Sequence, residues 1–263
     1  MMNVPGQNFD LKEEIRAYWS DRAEAFDESA SHRIEDLYGV PEWHAFLRRA
    51  FGLTQEQTLK GKRVLDIACG TGEISRVLCS LGAEVTGLDF SETMHARAKA
   101  KLSGEDWSPL LCDAEKLVGV PDDTYDFAVT RHLAWTLTQP DMAYAEWMRV
   151  LKPGGRLVIV DGTWNKQFSF RYRLQRRFAQ FLSPAPERSA DDIARDKAIR
   201  DRLPYRNGLT AARLRQDLKQ AGFEPVQEVS VRDLYGIGMR SWPLPVRLRQ
   251  SSENRFALSC TAR

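Results

Sequence analysis

The sequence has no apolar run near the roughly 20 residues that a membrane span needs. Its first residues, MMNVPGQNFDLKEE, offer neither a basic start nor an apolar core, so neither a span nor a signal peptide is expected and no membrane is expected as a partner. Cysteine is sparse: Cys69, Cys79, Cys112 and Cys260 lie far apart with no CxxC pair. That disfavours a zinc site, predicts no metal, and fits a reduced cytoplasmic setting. An excess of one charge is missing too. The 38 Lys and Arg against 36 Asp and Glu leave +2, which argues against a general polyanion binder and makes nucleic acid an unfavoured partner. There is no internal repeat and no low-complexity tract. What remains is 263 residues, 43% hydrophobic and 28% charged. That is enough for one large α/β domain, with or without a smaller cap, acting as a monomer or homodimer.

Residues 10–30 predict a helix with Ile15, Tyr18, Trp19, Ala23 and Phe26 at helical spacing. Trp43, Phe46, Leu47, Ala50 and Phe51 predict a second helix starting near Pro41. Strand patterns then fall at 63–68, 84–89, 107–112, 125–131 and 155–161, with helix patterns at 73–82, 91–102 and 141–151. Alternation at this spacing predicts βαβ units and a parallel sheet. Residues 164–208 break the rhythm: they are arginine-rich, contain SPAPE at 183–187, and read as helices inserted over the sheet. A helix at 210–221 ends at Gly222, with strand patterns at 224–234 and 254–262. The expected organisation is one domain: a helical lid (1–58), a core (59–163), a helical cap (164–208) and a carboxy-terminal helix with strands (209–263).

The stretch VLDIACGTGEISRVL, 64–78, is the most informative. The strand delivers Asp66 to its end. Gly70 and Gly72, lacking Cβ atoms, let the backbone turn tightly and approach a ligand. The helix from Glu73 then points unpaired N–H groups into the same crevice. About twenty residues on, EVTGLDFS sets Asp89 at the end of the next strand, where a carboxylate can accept both ribose hydroxyls. The ligand this suits is a dinucleotide or S-adenosylmethionine. A dinucleotide fingerprint wants a third glycine three residues after Gly72, where Ser75 stands, and has little use for an acid at 66. The amino group and sulfonium of S-adenosylmethionine suit that acid.

VLDIACGTG, GLDFSETM, CDAEKL and RVLKPGGRLVI, in this order across about 60–162, resemble the successive motifs of class I S-adenosylmethionine-dependent methyltransferases of the small-molecule (type 11) kind. The resemblance implies a Rossmann-like, mostly parallel seven-stranded sheet with helices on both faces and its last strand antiparallel. It implies S-adenosyl-L-methionine as cofactor and S-adenosyl-L-homocysteine as product. By motif position, the backbone at Ala68, Gly70 and Gly72 would hold the methionine moiety, with Asp66 oriented toward its amino group. Asp89 would hold the ribose, Phe90 would flank the adenine, Met94 would pack near it, and Asp113 and Ala114 would meet its amino edge. Arg131 would face the methionine portion. Ala68 departs from the commoner glycine. Cys69 and Cys112 line the site by position, without an assigned chemistry.

Methyl transfer needs chiefly an aligned nucleophile and exclusion of water, and a base only when the acceptor is protonated. TRHLAWTL places His132, a candidate base or acceptor contact, and Trp135 beyond strand four. DGTW places Asp161 and Trp164 beyond strand five. AYWSDRAEAFD resembles the family's lid segment, so Tyr18 and Trp19 are expected to close over the site. In FSFRYRLQRRFAQFL, 168–182, Phe168, Tyr172, Leu174, Phe178 and Phe181 are expected to form the buried face of a cap helix. Its arginines are either a solvated face or, through Arg171 and Arg173, an attractor of an acidic acceptor. The expected activity is methyl transfer to nitrogen or oxygen of a small molecule, an anionic one if Arg171 and Arg173 attract it. An RNA methyltransferase and a non-catalytic cofactor-binding regulator are the alternatives.

Overall fold

A computed structural model describes residues 5–28, 33–34, 39–164, 170–183, 189–235, 242–251 and 254–263; the side chains of 5–9, 170–172 and 176 fall outside the description. Two helices, α1 (Pro5–Asp21) and α2 (Ala23–Glu28), precede α3 (Val40–Phe51). The core follows as β1 (Arg63–Ile67), α4 (Glu73–Ser80), β2 (Glu84–Asp89), α5 (Glu92–Lys101), β3 (Trp107–Leu111), β4 (Tyr125–Arg131), α6 (Pro140–Val150) and β5 (Leu151–Gly162). Then come α7 (Phe170–Leu182), α8 (Ala190–Arg200), α9 (Ala211–Gln220), β6 (Val226–Glu228), α10 (Arg232–Tyr235), α11 (Leu244–Ser251) and β7 (Arg255–Thr261).

The seven strands form one sheet in the order β3-β2-β1-β4-β5-β7-β6. The first five pair in parallel, and β7 runs antiparallel to both β5 and β6. Period-two alternation splits the core between the faces. Leu65, Ile67, Leu88, Ala128, Leu157, Ile159 and Leu258 pack on one side with α1, α6 and α9. Val64, Val85, Val129, Val158, Val160 and Ala257 pack on the other with α3 and α4. Trp43, Phe46 and Leu47 of α3 are fully buried, each contributing about 1.5–3 kcal/mol by removal from water. The order of strands changes direction between β1 and β4, the point where such a sheet opens a crevice at its carboxyl ends.

The differences from the sequence pattern have local causes. The first helix breaks at Arg22, where the chain turns before α2. The pattern at 224–234 yields only three strand residues, because Ser230 Oγ accepts from Arg232 N (3.3 Å) and starts α10. Strand β5 begins earlier than expected, pairing Leu151 with Tyr125 across an irregularity that the left-handed Gly154 (φ 78°) accommodates. Helix α11 carries no buried residue, so it leaves little periodic signal. The largest correction is α7. Its expected buried face is exposed at Leu174 (60%), Phe178 (52%) and Phe181 (83%). The helix packs on α11 instead, through the buried Ala179 and through Gln175, whose Nε2 donates to Leu248 O and Ser251 Oγ at 2.8 Å each. Phe168 lies outside the described residues, as does the side chain of Tyr172.

Candidate functional site

Two strand ends and one turn build the centre of the crevice. Asp66, on the α3/α4 side of β1, is 1% exposed, and its Oδ2 accepts from Ser75 Oγ at 2.6 Å. Ser75, which stands where a dinucleotide site has glycine, thus anchors the acid. Burial pushes the Asp66 carboxyl up to about 7, against the opposing pull of Ser75; neighbouring Asp89 raises it further and Arg131 lowers it. The turn that follows is left-handed at Ala68 (φ 57°), Gly70 (φ 55°) and Gly72 (φ 86°). At Ala68 that conformation costs about 1 kcal/mol that glycine would not incur. From β2, Asp89 reaches back: Oδ2 accepts from Gly70 N and Oδ1 from Ser91 N, both at 2.9 Å. Burial raises its pKa, while these amides favour the carboxylate. Ser91 caps α5 by accepting from Met94 N (3.2 Å), which buries Met94 behind the strand end.

The lid lies directly on this turn. Phe26 Cε1 would sit 3.6 Å from a Cβ built on Gly70. Asp27 accepts from Thr71 Oγ1 (2.8 Å) and pairs with Lys101. Ser20 and Ser91 share a hydrogen bond of 2.7 Å. Farther along α1, Lys12 Nζ bridges Asp113 Oδ2 (2.6 Å) and Glu115 Oε2 (2.8 Å). Burial opposes the Lys12 charge, yet these two acids leave its pKa raised. Glu115, 4% exposed, also accepts from Thr138 N (2.5 Å) and Thr138 Oγ1 (2.9 Å). The cleft lined by Lys12, Ala68, Asp89, Phe90, Asp113 and Ala114 measures about 40 Å³, where small-ligand clefts typically measure about 300–1,000 Å³. The lid is therefore down in this conformation.

Beyond β4 and β5 stands a second wall. His132 is left-handed (φ 64°), held by its N–H donating to Val160 O at 2.9 Å. Its ring meets the Trp164 ring edge-on at 5.1 Å. Asp161, fully buried, accepts from Trp164 Nε1 (2.9 Å), Gly162 N (2.7 Å) and Trp135 N (3.3 Å). Burial pushes its carboxyl up to about 7 against these donors. Above it, the Arg200 guanidinium of α8 lies 4.1 Å from the Trp135 ring centroid.

Residues 65–159 match the methyltransferase domain family. Residues 65–159 thus carry a methyltransferase domain. Within curated proteins, a 118-residue stretch is 36% identical to the ubiquinone/menaquinone biosynthesis C-methyltransferase UbiE of Burkholderia mallei (strain SAVP1), covering 43% of this chain and 48% of the relative. The Paraburkholderia phymatum protein of the same name matches to the same extent. The chain thus spans about half the length of the curated relatives it matches. Among solved structures, an Aquifex aeolicus S-adenosylmethionine-dependent methyltransferase superposes with TM-score 0.57 at 19% identity, covering 93% of this chain and 98% of that one. Haemonchus contortus phosphoethanolamine N-methyltransferase 2 bound to S-adenosyl-L-methionine gives 0.55 at 17% identity, covering 91% and 59%. These structural likenesses establish the fold.

The residues of the methyltransferase domain fit the cofactor this family uses. Gly72 is left-handed, and a Cβ there would meet Leu102 Cδ1 at 2.8 Å and Ala98 Cβ at 3.2 Å, so glycine at this position also lets the turn pack closely on α5. The acids Asp66, Asp89 and Asp113 suit a cation with ribose hydroxyls and an amino edge. The structure gathers Asp66, Ala68, Gly70, Gly72, Asp89, Phe90, Asp113 and Ala114 at the strand ends, with Met94 behind them. Arg131 projects on the Asp66 side of the sheet, its guanidinium 5.2 Å from the Trp43 ring centroid. His132, Trp135, Asp161 and Trp164 share the second wall. Trp19 sits between Tyr18 (5.2 Å) and Phe26 (5.7 Å) over the turn. Tyr18 points to the cap, donating to Asp196 at 3.2 Å. Arg173 is exposed on α7, and the Arg171 side chain lies outside the description. The sequence reading missed Lys12, Asp27, Glu115 and Arg200. Lys12 was within reach of it, since it falls seven residues before Trp19 on the same helical face. Among the described residues no helix is long and apolar enough to cross a membrane, and no group of three or more His, Cys, Asp or Glu could hold a metal.

Proposed function

We propose that this chain binds S-adenosylmethionine at the ends of β1 and β2 and methylates a small molecule held between the lid, the cap and the His132–Trp164 wall. The observation that carries this reading is the Asp89 carboxylate closing onto Gly70 N beside two left-handed glycines. It shapes a strand-to-helix turn open to close backbone approach, next to an acid suited to ribose. When bound, the cofactor supplies a methyl group already activated on a sulfonium sulfur.

In this reading Asp66 orients the amino group of the cofactor, Asp89 its ribose, and Phe90, Asp113 and Ala114 its base, with Arg131 toward the methionine end. Trp19 and Phe26 exclude water from the turn. On the acceptor side Asp161 fixes the Trp164 indole through the Nε1 hydrogen bond and so sets the face against which a flat acceptor lies. His132 takes a proton from a protonated nitrogen or oxygen acceptor. Arg200, over the Trp135 ring, offers an anionic acceptor a cation on the cap side. The acceptor atom is nitrogen or oxygen; a carbon acceptor is the second reading, favoured by the name of the Burkholderia relative.

The test is calorimetric binding of S-adenosylmethionine, followed by incubation with a metabolite pool and a deuterated methyl donor. Formation of S-adenosylhomocysteine with a labelled product supports an enzyme, and fragmentation of that product assigns the atom. Tight binding with no turnover in any pool would leave a cofactor-binding regulator. Salt-sensitive RNA affinity with labelled RNA would transfer the activity to RNA. Absence of binding overturns the proposal.

A further inference from the structure

Nine large apolar side chains stand exposed among the described residues, and six of them lie in the cap and α11. Three make one line on α7: Leu174, Phe178 and Phe181, spaced i, i+4, i+7, so that they share one stripe at about 100° per residue. The side packed on α11, marked by Gln175 and Ala179, is roughly a quarter-turn or more away. Arg173 and Arg177, both exposed, lie about a quarter-turn to the other side of the stripe. The helix thus has a docked side, an apolar side and a basic side in that order.

The charge carried by these two helices is of one sign. Helix α7 contains four arginines and no acid in FRYRLQRRFAQFL, and α11 adds Arg247 and Arg249 with no acid in LPVRLRQS. Leu244 of α11 is also an exposed large apolar side chain, at 51%.

We propose that α7, braced by α11, is an interfacial helix that binds the surface of an anionic phospholipid bilayer. A narrow apolar stripe with arginines beside it is the arrangement of a helix lying in the plane of a membrane. The Phe and Leu side chains enter the boundary of headgroups and acyl chains, while the guanidinium groups reach back to phosphate oxygens. A second copy of this chain is the poorer occupant. Two-fold pairing of the face would set arginine against arginine with no acid to offset them. The sequence expectation of no membrane partner concerned spans and signal segments, and a surface-bound helix of 13 residues gives neither signal.

The experiment is co-sedimentation of the full chain with vesicles of phosphatidylcholine alone, or of equal parts phosphatidylcholine and phosphatidylglycerol. Binding to the mixed vesicles and not to the neutral ones is expected, weakening as salt rises. Phe178→Ser with Phe181→Ser should lower the partition coefficient at least about tenfold, because apolar burial scales the affinity. Each of Arg173→Gln and Arg177→Gln should lower it about fivefold, the effect of one basic residue near an anionic surface. Thermal melting and S-adenosylmethionine affinity serve as folding controls, and the arginine variants, exposed as they are, stand in where the phenylalanine variant fails to fold. No sedimentation with mixed vesicles at low salt overturns the proposal. Binding retained by the phenylalanine variant overturns it as well, because charge alone would then be acting on any polyanion. So does a wild-type dimer that this variant splits with vesicle partition unchanged, since a second copy would then cover the stripe.

Discussion

Replacing Asp66 with asparagine should move stability and cofactor affinity in opposite directions. The native carboxyl is fully buried and its pKa is pushed up to about 7 from 3.8. A carboxyl with a raised folded pKa binds its proton more tightly in the native than in the unfolded state. It therefore contributes stability that is present below pH 3.8 and lost as pH rises through 7. By that linkage the ionised group costs about 4 kcal/mol at pH 8. Local relaxation and the nearby Arg131 reduce the part an isosteric amide recovers to about 1–2 kcal/mol. The amide oxygen introduced there can still accept from Ser75 Oγ, so the Asp66→Asn protein should match wild type at acid pH and exceed it by about 1–2 kcal/mol at pH 8. S-adenosylmethionine affinity at pH 8 should fall, because a charge-assisted contact of about 1.5–3 kcal/mol is gone, or roughly tenfold or more in Kd. Urea denaturation of both proteins at pH 4 and pH 8, with calorimetric titration of the cofactor, reads all four quantities. A variant less stable than wild type at pH 8, or one binding the cofactor as tightly, would refute the reasoning.

Asp89→Ala removes the acceptor of Gly70 N and Ser91 N; cofactor Kd should rise roughly tenfold or more, and unchanged calorimetric affinity in a folded variant would reject the ribose assignment. Gly70→Val forces a β-branched residue to φ 55° with Phe26 Cε1 3.6 Å from its Cβ. Binding should be nearly lost, and near-normal titration would make the turn merely structural. Lys12→Met leaves Glu115, buried and bonded to Thr138, without its cation. Melting should register a loss of about 1–3 kcal/mol, with faster exchange of α1 amides, and unaltered exchange would mean that Lys12 does not hold the lid down.

The sheet was readable because β1, β2, β4 and β5 are rich in apolar residues, the last three end at Asp89, Arg131 and Gly162, and helices of about ten residues separate them. The meeting of strand ends was readable for the same reason: in a parallel sheet the residues that end successive strands converge on one edge, so Asp89 comes back to Gly70 and Asp66 from about twenty residues farther on. Contacts made between elements were not readable. Glu115 finds Lys12 from far along the chain, and no local pattern encodes that meeting. The face of α7 misled because burial depends on the partner. Its aromatic stripe would be buried against a sheet, but α11 takes the neighbouring side through an alanine and a glutamine. Left-handed Ala68 carries no composition signal, since alanine is not a residue that such turns usually select.

Helix α1 is fastened on two sides. Lys12 and Ser20 tie it to the cofactor cleft, while Glu14 pairs with Arg202, Asp21 with Arg195 (2.8 Å), and Tyr18 with Asp196 across to the cap. A rigid helix cannot lift from one side without loosening the other. Under the proposed function, donor and acceptor would therefore share a doorway, and their comings and goings would run on a common clock. Spent donor would leave no faster than the cap lets go, so Arg195→Ala with Arg202→Ala should quicken S-adenosylhomocysteine release in stopped-flow displacement, although neither arginine touches the cleft that holds it. Release at the wild-type rate would mean that the doorway opens from the cofactor side alone.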